Sequence, residues 1–132
     1  MIYLKEGDAK NFLIVDAAMN DLIRPTLYEA HHDIRPVVEA GPNAARMRAD
    51  VVGPVCETGD YLALGRDLPR LAAGDLIAIG TAGAYGAVQA GTYNTRLLVP
   101  EVLVDGARFH VVRPRGTYED LIGLDSVPDW LR

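Results

Sequence analysis

The dipeptide Asp105-Gly106 constrains the fold most, because it accepts positive φ in a two-residue reversal and lies between two alternating apolar runs. Folding about it pairs Val104 with Ala107 and Val102 with Phe109, and puts these with Val111 on one face. Leu103, Arg108 and His110 fall on the other face. Residues 101–113 are therefore expected to form an antiparallel hairpin.

Upstream, the chain is built on the same scale. Phe12-Leu13-Ile14-Val15 is a short continuous apolar run and reads as a buried strand. Residues 32–39, 46–55, 60–65 and 75–80 read as further strands with Gly, Pro or Asp around them, and 40–43 as a loop. Residues 22–30 suit a short helix, in which Pro25 is tolerated only near the first turn. Thr117-Tyr118-Glu119-Asp120 before Leu121 resembles an N-cap with an acidic residue at N3, and predicts a C-terminal helix that stops before Pro128. The expected fold class is mainly β, a barrel or a sandwich with short helices.

With 132 residues the chain reads as one domain, 1–132, able to bury a real core. It is too short for a (β/α)8 barrel, which needs at least about 200 residues. A net charge of −5 argues against a nucleic-acid partner, which would require phosphates to be neutralised. Arg46 and Arg48, a close basic pair, share one strand face and read as solvated. The lone cysteine, Cys56, excludes an internal disulfide and suits a reducing compartment. Charges run through the N-terminal residues where a signal peptide would be apolar, and the least polar stretch, 76–91, is too rich in glycine for a membrane span. The expectation is a soluble, cytoplasmic domain with no membrane partner.

Cys56-Glu57-Thr58-Gly59-Asp60 is the first candidate for chemistry. Carboxylates near a thiol disfavour the thiolate, so Cys56 is a poor protease-type nucleophile but a suitable proton donor. The plain alternative is a small buried hydrophobe beside an exposed turn. Residues 80–86, dense in glycine and including Tyr85, read either as a barrel corner or as a binding loop; neither nucleotide-loop glycine pattern is present. Arg24 and Tyr28 are four apart, so a helix would project both from one face, suited to gripping a carboxylate. An arginine packed over a tyrosine ring is the alternative. His31-His32 looks like a ligand pair, yet adjacent residues diverge and nothing nearby completes a ligand spacing, so no metal is expected. Asp16 and Asp21 read as solvated turn residues.

In order along the chain, Asp16-Ala17-Ala18-Met19-Asn20-Asp21-Leu22, Arg24-Pro25-Thr26-Leu27-Tyr28, the Cys56 to Asp60 motif, Gly83-Ala84-Tyr85 and Tyr93-Asn94 resemble the C-terminal part of the diaminopimelate decarboxylase family. The segment 113–121 resembles that family's closing segment. The resemblance runs from about Phe12 to Leu131 and implies the C-terminal β-domain of an alanine-racemase-like, pyridoxal-phosphate-dependent decarboxylase, without its (β/α)8 barrel. It implies a homodimer with active sites at the subunit interface. Cys56 would then reprotonate the α-carbon after carbon dioxide leaves, reaching into the partner subunit's site. Glu57 would hold the substrate's distal ammonium, Arg24 and Tyr28 its distal carboxylate, and Tyr85 the cofactor phosphate and part of the substrate. The only lysines, Lys5 and Lys10, match no Schiff-base motif, so the chain alone is expected to be inactive without its barrel. The activity implied is conversion of meso-2,6-diaminopimelate to L-lysine in lysine biosynthesis. Two other readings remain open: a non-catalytic dimerisation or regulatory remnant, and the same domain of an ornithine, arginine or carboxynorspermidine decarboxylase.

Overall fold

The structure, a computed structural model, describes residues 1–132 and divides into two compact units, Met1–Ala90 and Gly91–Arg132. In the first unit, β1 (Tyr3–Lys5), β2 (Asn11–Ile14), β4 (Arg46–Val52) and β5 (Tyr61–Pro69) form one sheet in the order β1-β2-β4-β5. Strand β2 runs antiparallel to β1 and parallel to β4. A second sheet pairs β3 (Ile34–Pro36) with β6 (Ile77–Ile79). Two short helices, α1 (Arg24–Tyr28) and α2 (Gly83–Gln89), complete the unit.

Alternation along the strands builds the core. On β4 Ala49 and Val51 turn inward, and Leu13, Val15, Leu62 and Leu68 meet them there. Ile34, Ile77 and Ile79 of the two-stranded sheet pack against this cluster as a second layer. The four-stranded order is open at both edges, so the strands layer rather than close into a barrel.

Asp50 interrupts the alternation where β4 and β5 slip register. Its Oδ1 accepts the Gly65 amide at 2.7 Å, and its Oδ2 accepts Lys10 Nζ at 2.7 Å. Burial pushes its carboxyl up, but the bonds from Lys10 and Gly65, with the Lys10 and Arg48 charges, hold it below the usual aspartate value. Gly65 adopts φ +58°, and a Cβ there would press on the Arg48 guanidinium.

The second unit holds β7 (Glu101–Asp105), β8 (Arg108–Arg113) and α3 (Tyr118–Ile122). The hairpin is present, but its register differs from the expected one. Asp105 pairs with Arg108 and Val104 with Phe109, so the reversal is Gly106-Ala107, with Gly106 at φ +60°. Val102, Val104, Phe109 and Val111 still share a face, because the shift preserves side-chain parity. The Thr117 capping box is formed: Thr117 Oγ1 accepts the Asp120 amide at 3.1 Å, and the Asp120 carboxylate accepts the Thr117 amide at 3.0 Å. The helix ends at Ile122, well short of Pro128.

Other expectations need trimming. The strands expected over 32–39 and 75–80 shrink to three residues each, the helix over 22–30 to five, and β1 has no counterpart in the sequence reading. Of the glycine-dense stretch read over 80–86 as a corner or a loop, residues from Gly83 on are helical, in a helix that runs to Gln89. No helix is long and apolar enough to cross a membrane.

Candidate functional site

The short helix α1 survives because its ends and one side chain are fastened. Pro25 presets φ in the first turn, and the Glu29 amide, at φ 55°, bonds back to the Arg24 carbonyl. Thr26 Oγ1 donates to the Gly59 carbonyl, and more weakly at 3.4 Å to that of Tyr61. This hydroxyl joins α1 to the loop that carries Cys56 and Glu57.

That loop closes on itself. The Gly53 amide donates to the Asp60 carbonyl at 3.0 Å, the Glu57 amide to Val55 at 2.9 Å, and the Asp60 amide to Glu57 at 3.0 Å. Glu57 Oε1 accepts the Gly59 amide at 3.2 Å. Cys56 and Glu57 therefore stand at the exposed tip of a braced turn. Asp60 is buried beneath them. Its Oδ2 accepts the Val55 amide at 2.6 Å, and its Oδ1 accepts the Met19 amide at 2.7 Å. The Met19 segment is shaped in turn by Asp21, whose carboxylate accepts the Ala18 amide at 2.9 Å.

Helix α2 approaches from the other side. Buried Gly86 meets Leu22, and a Cβ there would lie 3.5 Å from that side chain. The helix presents Tyr85, whose ring centroid lies 5.5 Å from the Arg24 guanidinium carbon. His32 is buried at 1% exposure, and its Nδ1 lies 3.1 Å from the carbonyl of Gly80, just before α2. It is a core residue, and no group of three or more His, Cys, Asp or Glu gathers to hold a metal.

The structure thus brings Arg24 and Tyr85 into contact and fastens the Cys56-Glu57 turn to the helix bearing Arg24. Tyr28 lies on the same helix with its ring exposed, and the ring stacked with Arg24 belongs to Tyr85. One element of the thiol argument changes. Of the two carboxylates near Cys56 in sequence, Asp60 points inward onto backbone amides, leaving Glu57 at the surface. Sequence reasoning missed the fastenings, Asp60, Thr26 and Asp21. An Asp within a Gly-containing turn is a signal for side-chain capture of nearby amides, but it does not name a partner 41 residues away. Chemically, a guanidinium with one face on a ring keeps its N–H edge for a carboxylate. An exposed thiol at a rigid tip can give up a proton to a bound ligand.

The family model for the C-terminal sheet domain of pyridoxal-dependent decarboxylases matches residues 1–83. The diaminopimelate decarboxylase of Zymomonas mobilis is 49% identical over 99% of this chain, and that of Pseudomonas aeruginosa is 54% identical over 95%. The chain spans about 30% of the length of these curated relatives. Among solved structures, diaminopimelate decarboxylase from M. jannaschii superposes with a TM-score of 0.91 at 35% identity, covering 99% of this chain and 30% of that one. The Helicobacter pylori enzyme complexed with L-lysine gives a TM-score of 0.84 at 42% identity, covering 93% and 29%.

A pyridoxal cofactor needs a lysine to anchor its aldehyde. Lys10 is held by Asp50 at 2.7 Å and lies over the Phe12 ring, and Lys5 is on β1. Neither stands on an element that carries Arg24, Cys56 or Tyr85, so the anchor does not fit this chain. Side chains that line a ligand do.

Proposed function

The chain belongs to the pyridoxal-dependent decarboxylases, as their C-terminal sheet domain, and from that premise we propose that it supplies the substrate-reading and proton-donating side chains of a diaminopimelate decarboxylase. The observation that carries the reading is the fastening of the Cys56-Glu57 turn to the helix of Arg24, itself stacked on Tyr85. A carboxylate reader and a proton donor on two elements tied together suit a substrate with one acidic end to be recognised and one carbon to be protonated.

The reaction converts meso-2,6-diaminopimelate to carbon dioxide and L-lysine, and L-lysine is bound in the Helicobacter pylori relative. Bound pyridoxal phosphate serves as the electron sink, and its anchoring lysine comes from a (β/α)8 barrel outside these residues. Residues 1–132 act as one C-terminal domain. Arg24, with Tyr28, holds the distal carboxylate through its N–H edge, a group that ornithine lacks. Glu57 takes the distal ammonium. Tyr85 touches the cofactor at its phosphate and also steadies Arg24. Cys56 gives the Sγ proton to the α-carbon once carbon dioxide has left, and regains it from solvent. In a homodimer Cys56 reaches the partner subunit's site, and the enzyme works in the cytoplasm.

The test combines this chain with a separately produced barrel half, pyridoxal phosphate and meso-diaminopimelate. Carbon dioxide and lysine are expected, with loss of about 100-fold or more in Cys56→Ala. Lysine formation undiminished in that variant removes the proton-donor role. Comparable turnover by the chain without the barrel half contradicts the division of labour.

A further inference from the structure

We infer that Asp60 is a positioning residue of this site, the side chain that sets where the Cys56-Glu57 tip stands relative to the 17–22 segment leading into Arg24, alongside the Thr26 fastening to the helix itself; this rests on the function proposed above. Four hydrogen bonds radiate from the one residue. Its carboxylate takes the amides of Met19 and Val55, its carbonyl takes the amide of Gly53, and its own amide donates to Glu57. The bonds reach both ends of the turn, the residue before Cys56 and a segment 41 positions away.

The neighbouring glycines make the seat specific. A Cβ on Gly53 would overlap the Asp60 carboxylate, and one on Gly59 would lie 2.8 Å from Thr26 Cγ2. A carboxylate offers only acceptors, which is what two amide donors at 2.7 and 2.6 Å require. Asparagine has the same shape but turns an NH2 toward one of those donors, losing a bond and leaving a buried amide opposed. Asp60 does not face the ligand side, since it is 4% exposed. Its effect on turnover passes through the tip, where a displacement of about 1 Å can cost about 100-fold.

The sole thiol of the chain reports the tip directly. The rate of Cys56 alkylation by iodoacetamide and amide exchange at Met19 and Val55 are measured in this chain for Asp60→Asn, Asp60→Ala and Thr26→Val. Turnover is measured for the same variants after reassembly with the barrel half. Loss of one buried bond predicts an alkylation rate changed about tenfold and faster exchange at both amides in Asp60→Asn. A kcat about 100-fold lower, with KM within a few-fold, is expected alongside. Asp67→Asn, which loses an exposed ion pair with Arg46, should leave all of these unchanged. Asp60→Asn keeps the side chain's shape, so the claim can be read even where Asp60→Ala fails to fold, and Thr26→Val shows separately what the other fastening contributes. Unchanged alkylation and exchange in Asp60→Asn overturn the inference, as does an altered tip with unaltered kcat in an enzyme that needs Cys56. An altered tip in an enzyme whose Cys56→Ala variant keeps full turnover upholds Asp60 as the residue that sets the turn, and overturns the proton-donor reading instead.

Discussion

The two compact units are held in different ways. Every buried apolar side chain lies in Met1–Ala90, whereas no residue of Gly91–Arg132 is fully buried. In the second unit Phe109 is 75% exposed and Trp130 84% exposed, and order comes from a hairpin and a capping box, both local in sequence. The first unit owes its site to bonds between distant residues, Thr26 with Gly59 and Asp60 with Met19. The candidate tip is braced by nonlocal bonds that over-determine its place, whereas the local signals specify the hairpin and the capped helix of the second unit.

This contrast can be broken by substitution. Leu62→Ala in the first core, where Leu62 is fully buried, should cost about 2–5 kcal/mol, against less than about 1 kcal/mol for Phe109→Ala in the hairpin. Urea denaturation of both variants checks this, and equal costs would erase the distinction. Gly53→Ala forces a Cβ into the Asp60 seat and should cost about 1–3 kcal/mol, with the Cys56 alkylation rate changing as well. Thr117→Ala removes one partner of the capping box and should cost about 1 kcal/mol, read as faster amide exchange in α3 with β4 and β5 unaffected.

The smallest effect is a pH dependence. Asp50 is held below its ordinary value in the fold, so it adds stability above about pH 4 that is lost as pH falls through its folded value. Asp50→Asn should therefore flatten the acid limb of the stability curve of the first unit. Asp120 is lowered as well, by the Thr117 hydroxyl and then its amide, but it is exposed, so acid should fray α3 alone. Stability measured from pH 7 down to the onset of acid unfolding separates the two.

The same division explains what could be read in advance. The Asp105-Gly106 signal gave the hairpin and its faces, though the turn proper fell one residue later, where Gly106 takes the positive φ. Thr117 and Asp120 announced the start of their helix, because both partners of the cap lie within one turn, though not its end at Ile122. The strands expected over 46–55 and 60–65 are present as Arg46–Val52 and Tyr61–Pro69, the second running through Gly65, which the sequence pattern takes as its end. The helix over 83–89 was not legible, since two of its seven residues are Gly, which argue for a loop; in the structure Gly86 is buried against Leu22. Cys56, Glu57, Arg24, Tyr28 and Tyr85 were nominated as types and by resemblance. That Arg24 would stack on Tyr85 rather than Tyr28, and that Asp60 would turn inward, depended on contacts no window of sequence contains.

The central claim, that this domain reads a distal carboxylate, is tested most directly by comparing kcat/KM for meso-diaminopimelate and ornithine in the reassembled enzyme, with the native chain and with Arg24→Met. Loss of a charge-assisted pair to a carboxylate of about 3 kcal/mol predicts that the native preference for diaminopimelate falls by about 100-fold in the variant. A native enzyme that turns over ornithine as well as diaminopimelate, or a preference untouched by Arg24→Met, would contradict it.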